Sequence, residues 1–310
     1  MLPKSFKDSY FFFKALWRYV CGTPEISEKW IRSSSTNNLI ETKEINIPKK
    51  IWMYWDSVDR SDLIELCIQN TKKICFDYEI VVLDSTSVKK YIDLPDFEKH
   101  IPLAVKADFI RLALLNKYGG IWMDASIFIT ENFNWFLKKM NSKETFVFYS
   151  DHCTTNMSNP IVENWFIAAP EHSVFISDWF DEFKKCIFSK SPTEYYKDYS
   201  KRMDIIQNIP NTDYLMCYIS AAVVRNKKSY DICMLNSGSQ GHYYNYTMFS
   251  NPYFVAKQLL DRNHNCIFIP KIVKFTSQTR SFIEKKILVK DMNVSSLIGK
   301  SYHEVSEEFK

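Results

Sequence analysis

The stretch Val105-Lys-Ala-Asp-Phe-Ile-Arg-Leu-Ala-Leu-Leu-Asn-Lys-Tyr-Gly-Gly-Ile-Trp-Met-Asp-Ala-Ser126 constrains the fold more than any other part of the chain. From Val105 to Lys117 it is rich in Ala and Leu, with apolar residues at helical spacing, which predicts an amphipathic or buried helix. Gly119-Gly120 supplies a left-handed stop. The branched and aromatic residues from Ile121 to Ile129 then predict a strand. Asp124 falls within or at the end of that strand, where a carboxylate is costly to bury unless a cation or hydrogen-bond donors meet it. Asp108 and Arg111, three apart, project from one helical face. Two readings stay open on residue types alone: a surface Asp–Arg pair beside one strand-end acid, or a ligand site at a strand end.

Upstream, Ile51 to Trp55 reads as a strand, Leu63 to Ile74 as a helix and Glu79 to Leu83 as a second strand. That βαβ order places the chain in the α/β class with a parallel sheet, whose ligands bind at the carboxyl ends of the strands. The chain contains neither Gly-x-Gly-x-x-Gly nor Gly-x-x-x-x-Gly-Lys, which argues against dehydrogenase and kinase or ATPase readings. A net charge of +4, with no dense Lys/Arg stripe, argues against a nucleic-acid partner. Eight cysteines occur without a Cys-x-x-Cys pair, several in apolar runs, as reduced core thiols in a reducing compartment do. Neither a secretory signal nor a membrane-spanning run is visible.

The 105–126 stretch resembles the signature of the family 32 glycosyltransferases and their relatives, in which a helix carrying Ser/Ala-Asp-x-x-Arg runs through Tyr-Gly-Gly into a strand ending in Asp-x-Asp. The bacterial capsular polysaccharide synthesis proteins are the better match, and the catalytic domains of the large clostridial glucosylating toxins are more distant. Ile47-Pro-Lys-Lys-Ile-Trp-Met-Tyr-Trp55 resembles the opening strand of the family, so the likeness covers about residues 47–130 well and the rest weakly. Ser126 stands at the second acidic position and leaves a metal one fewer charged ligand. The resemblance implies a GT-A type, Rossmann-like domain with a mixed, mainly parallel sheet and helical additions. Residues 1–44 would be a helical extension and linker, and 45–310 a single domain. Within it, 45–150 would bind the nucleotide sugar, and 151–310 would form the acceptor side and a helical tail.

The resemblance also implies roles. Trp55, with Tyr54 as neighbour, matches the residue that stacks on the uracil of a UDP-sugar, although both could equally be core aromatics. Asp108 and Arg111 match the residues that hold the donor's ribose, sugar and phosphate. Asp124 matches the acid that binds sugar hydroxyls or a metal, Mn²⁺ or Mg²⁺, with Ser126 as a further ligand. By analogy with GT-A enzymes that use a late histidine, His242 or His264 would complete the metal site, though a lone histidine is more often structural. Lys274 could reach the diphosphate as a point charge. Asn164 and Trp165 are the acceptor-side candidates. The implied reaction is retaining transfer from a UDP-sugar to a growing surface polysaccharide or lipid-linked acceptor, in the cytoplasm at the inner face of the membrane. Two alternatives stand beside it: a catalytically silent nucleotide-sugar-binding protein, to which Ser126 points, and a toxin-like protein glycosyltransferase.

Residues 1–22 set Phe6, Tyr10, Phe13, Trp17 and Val20 at helical spacing beside Lys4, Lys7, Lys14 and Arg18. Such a helix lies in a membrane interface or packs on the domain. Ser33 to Asn38 reads as a linker. Further helices are expected at about 171–188, 194–207 and 212–226, a final strand at Ile269 to Phe275 and a helical tail from Phe282. The polar segment Ser237 to Tyr246 reads as a lid or a solvated loop.

Overall fold

Alternation of apolar residues along Ile51-Trp52-Met53 and Ile121-Trp122-Met123 sends successive side chains to opposite faces of a sheet. The computed structural model, which describes residues 6–35, 47–97, 101–141 and 144–308, shows both faces buried. Its strands are β1 (Trp30–Ser33), β2 (Lys50–Tyr54), β3 (Glu79–Leu83), β4 (Gly120–Met123), β5 (Ile127–Ile129), β6 (Thr145–Tyr149), β7 (Val162–Ala169), β8 (Ile232–Asn236) and β9 (Ile272–Lys274). Seven of them form one sheet in the order β1-β8-β6-β7-β4-β2-β3, and β5 pairs with β9 in a second. In the large sheet β2, β3, β4, β6 and β8 run one way, while β7 and β1 oppose them. The carboxyl ends of five strands therefore open on one side.

The helices are α1 (Phe6–Cys21), α2 (Asp62–Ile74), α3 (Leu103–Tyr118), α4 (Asn134–Leu137), α5 (Val174–Ile187), α6 (Met216–Lys227), α7 (Tyr243–Thr247), α8 (Pro252–Leu260), α9 (Ser277–Leu288) and α10 (Leu297–Glu308). Helices α3, α5 and α6 cover the sheet face that carries Trp52 and Trp122. The other face, with Ile51, Met53, Ile121 and Met123, meets α2, α4 and the β5–β9 pair. A third cluster joins α1, α8, α9 and α10 to the outer side of α2. Each buried Leu, Ile or Phe in these layers contributes roughly 1.5–3 kcal/mol relative to exposure.

The turn that organises the chain needs its two glycines. Gly119 caps α3 with φ +58°, and a Cβ there would lie 2.7 Å from the backbone nitrogen of Glu171. Gly120 has φ +92°, and its Cβ would lie 2.7 Å from the Lys50 carbonyl oxygen. The strand expected from Ile121 to Ile129 is two strands: the chain turns at Asp124, whose carbonyl accepts from the Ile127 N–H at 3.0 Å, and β5 pairs with β9 instead.

Three further expectations change. No α-helix forms over 194–207; the segment makes short 3₁₀ turns and bends. It does so because the Gln207 side chain enters the 155–159 loop, accepting from the Thr155 and Asn156 N–H groups at 2.8 and 2.9 Å and donating to the Asn159 carbonyl at 2.7 Å. Ser237 to Tyr246 is neither lid nor solvated loop, since Ser237 and Tyr243 are fully buried. Its polar groups find fixed partners: the Gly238 N–H donates to Asp151 at 2.8 Å, and the Tyr243 hydroxyl donates to Thr23 and the Pro24 carbonyl. The sheet also begins ahead of the boundary expected at residue 44, because β1 pairs antiparallel with β8. Helix α1 packs Phe12, Ala15, Leu16 and Tyr19 on the third cluster and leaves Tyr10, Phe13, Trp17 and Val20 exposed. Lys4 and the 36–38 part of the expected linker lie outside the described residues.

Candidate functional site

The like-directed strands end around a cavity of about 720 Å³, a size suited to a small ligand. Strand β2 delivers Tyr54 and Trp55 to it, the buried side of α3 delivers Asp108 and Arg111, and the turn after β4 delivers Asp124 and Ser126. His242 comes from the buried segment after β8, and Lys274 from the end of β9. The eight residues anticipated from sequence thus share one cavity. Asn164 lines it as well, through β7. Trp165 points the other way, stacked on Phe148 at 4.5 Å between ring centroids. His264 lies in a separate groove with α10 and bonds the Ser295 carbonyl at 2.8 Å.

Asp124 is the centre of a charge cluster. Its Oδ1 accepts from Arg111 Nη2 at 2.8 Å and from the Trp122 indole at 3.0 Å, and its Oδ2 accepts from Lys274 Nζ at 3.1 Å. Arg111 also donates to Asp108, which accepts from Asn164 Nδ2 at 2.9 Å, and its guanidinium lies 4.9 Å over the Trp122 ring. Burial alone would raise the Asp124 carboxyl, but Lys274 and Arg111 reverse that and hold it below the usual range. Asp108 is pushed up to about 6 by burial, with Arg111 opposing and Asp124 adding to the rise. Lys274 sits below the usual lysine range, again through burial, against which Asp124 pulls. Two acids and two cations balance one another there.

Beside them stands a cation not anticipated from the sequence. Arg280, on the first turns of α9, lines the cavity with its guanidinium 5.2 Å over the Trp55 ring, and it makes no ion pair among the described residues. Tyr54 donates its hydroxyl to Asp56 at 2.5 Å. Tyr214, just ahead of α6, and Tyr218, in its first turn, form an aromatic wall that was also missed. The one sequence signal for these residues is weak: Lys274 and Arg280 bracket a strand-to-helix turn, and α6 begins after a polar, proline-bearing segment.

His242 is backed by Glu163, whose carboxylate lies 3.5 Å from His242 Nε2, while His242 Nδ1 meets Asn245 Nδ2 at 3.2 Å. Burial first, then Lys274, pushes His242 down to about 3, so the ring is neutral. Burial likewise pushes Glu163 up to about 7, with the Trp165 indole opposing.

A resident Mn²⁺ or Mg²⁺ needs several oxygen donors with negative charge to spare. Here both Asp124 oxygens already face cations, and Ser126 brings no charge. His242 Nδ1 meets Asn245 and its Nε2 lies 3.5 Å from the Glu163 carboxylate, and among the described residues no three His, Cys, Asp or Glu side chains gather as a metal-holding group. The donor set does not fit the metal expected at Asp124, Ser126 and His242.

The chain is similar to several solved glycosyltransferases. PaToxG Glycosyltransferase shares 14% identity at a TM-score of 0.36, over 89% of this chain and 91% of that one. The glycosyltransferase involved in glycosylation of the major capsid of PBCV-1 shares 7% at 0.43, over 77% and 98%. GlyE of Streptococcus pneumoniae TIGR4, in its apo form, shares 12% at 0.41, over 81% and 66%. No curated protein matches the chain. Residues 20–253 match the pattern of the capsular polysaccharide synthesis proteins, well over half of the chain, and the chain belongs to that family.

Proposed function

We propose that this chain is a retaining glycosyltransferase that moves a sugar from a UDP-sugar to a growing capsular polysaccharide, with a lipid-linked acceptor at the inner face of a bacterial plasma membrane. The observation that carries the reading is the balanced cluster of Asp108, Arg111, Asp124 and Lys274 facing a nucleotide-sized cavity beside Trp55. In this reading residues 45–150 hold the donor: Trp55 and Tyr54 take the base, Asp108 and Arg111 the ribose and phosphate, and Asp124 the sugar hydroxyls. Residues 151–310 shape the acceptor side, with Asn164, Tyr214 and Tyr218 nearest to it. The C1–O bond to the β-phosphate breaks with its electron pair passing to the diphosphate, C1 bonds the acceptor oxygen, and the acceptor's proton goes to a diphosphate oxygen. Fixed cations at the departing group supply what that step requires.

The test is release of UDP from a panel of UDP-sugars by the native chain and by Asp124→Ala. Release from one sugar, abolished by the substitution, supports the reading. Ser126 in place of a second acid favours one rival, a binding protein without chemistry, which would bind UDP and release none from any donor. Membrane contact is proposed through α1, whose exposed Tyr10, Phe13, Trp17 and Val20 stand beside Lys14 and Arg18. Among the described residues no helix is long and apolar enough to cross a membrane. The full chain should float with anionic liposomes and the chain lacking residues 1–22 should not; equal flotation would remove α1 from the proposal.

A further inference from the structure

Resting on the glycosyl-transfer reading, we propose that the charge departing with the diphosphate is met by Lys274 and Arg280 of the chain itself, and that transfer needs no divalent metal. The oxygens that would bind a metal are in use: Lys274 Nζ holds Asp124 Oδ2 at 3.1 Å, while Arg111 and the Trp122 indole hold Oδ1 at 2.8 and 3.0 Å. A divalent ion at Asp124 would have to displace an ammonium from a desolvated site or lie against it. The residues that could strengthen its hold do not do so, since Ser126 is uncharged and His242 faces Glu163 and Asn245. On the same wall Arg280 is half-buried, stacked over Trp55, and without an acidic partner among the described residues. Asp56 lines the cavity too, its carboxylate accepting from the Tyr54 hydroxyl at 2.5 Å, so three acids face three cations there and Arg280 is the cation held by stacking rather than by an ion pair among the described residues. A diphosphate supplies the anion that Arg280 lacks and competes with Asp124 for Lys274. A planar guanidinium suits two phosphate oxygens at once, and an ammonium acts beside it as a point charge. Both are in place before negative charge develops, which is the condition for stabilising it.

The full chain, stripped with EDTA and desalted, is assayed for UDP binding by calorimetry and for UDP release from a UDP-sugar panel, each in EDTA and in MnCl₂. Binding and release should be the same in both. Arg280→Ala, a change at a half-exposed helix position, should weaken UDP at least about tenfold, the loss expected for a charge-assisted contact to phosphate. Lys274→Met should slow release by about 10²-fold or more, and Lys274→Arg should recover part of it. Binding or release seen with Mn²⁺ and lost in EDTA overturns this proposal while leaving the transfer reading intact. UDP bound in both conditions with no release from any donor matches the silent binding protein and removes the transfer reading, and this proposal with it. Neither binding nor release under either condition removes the transfer reading, and this proposal with it.

Discussion

Arg111 is the one residue that touches both acids of the cluster, so its replacement by Met tests the electrostatic account directly. The guanidinium is 4% exposed, donates to Asp108 and Asp124, and covers the Trp122 ring. In Arg111→Met, Asp124 keeps Lys274 and the Trp122 indole, whereas Asp108 keeps only Asn164. Asp108 is therefore the stranded charge. Removing one partner of a buried pair costs about 3–5 kcal/mol. The cost should depend on pH. Burial above all pushes Asp108 up to about 6, so between its unfolded value and that value the native state holds the extra proton and stability falls as pH rises. Without Arg111 the native value climbs further and the falling window extends upward, at about 1.4 kcal/mol for each pH unit gained. Urea unfolding should thus show roughly 3–5 kcal/mol of destabilisation at pH 8 and a smaller loss, by about 1–3 kcal/mol, at pH 5. Adding Asp108→Asn to Arg111→Met should recover much of the pH 8 loss, because no carboxylate is then left unpaired. A loss below about 1 kcal/mol at pH 8, or an equal loss at both pH values, would refute the claim that these charges are buried and coupled.

Two further outcomes follow from other parts of the molecule. Gly119→Ala forces a Cβ to 2.7 Å from the Glu171 nitrogen at φ +58°, and should cost about 2 kcal/mol or more; a melting temperature unchanged from the native chain would contradict the geometry of that turn. Glu163, raised to about 7 by burial, makes the native state lose stability as pH rises from about 4.3 to 7, so Glu163→Gln should match the native chain at about pH 4 and exceed it above pH 7 by about 3–4 kcal/mol. His242, lowered to about 3 by burial, contributes the opposite slope below its unfolded value near 6.5 in both proteins. Identical stability profiles for the two proteins would place the Glu163 carboxyl in water.

What could be read from the sequence was what local pattern controls. The βαβ unit, the α3 helix and the Gly119-Gly120 turn follow from periodicity and cap chemistry, and together they place Asp124 at a strand end. The partner of that carboxylate could not be read, because Lys274 lies 150 residues away in sequence and reaches it only through the β5–β9 pairing. Read from sequence as a charge for the diphosphate and not as the partner of Asp124, Lys274 did not alter the reading of an acid followed by Ser126 as a weakened metal site. The same blindness produced the misreading of Ser237 to Tyr246. Polar composition signals exposure only when the polar groups have water as their partner, and here they bond Asp151, Thr23 and Pro24. Arg280 escaped notice for a related reason: an arginine on a mixed helix looks like surface until the tertiary fold sets Trp55 beneath it.

The order of the strands along the chain bears on how the protein is made. Every strand of the seven-stranded sheet lies at or before Asn236, whereas the Lys274 ammonium arrives with β9 and Arg280 with α9. During synthesis the amino-terminal parts emerge and collapse first. A chain ending at Leu260 would thus contain every strand of the seven-stranded sheet, the α3 helix and the Gly119-Gly120 turn, yet leave Asp124 with Arg111 as its only cation among the residues described. The carboxyl-terminal segment thus adds the last charges to a scaffold whose strands are all laid down before it, so the charge balance of the pocket is the last part of the molecule to be completed.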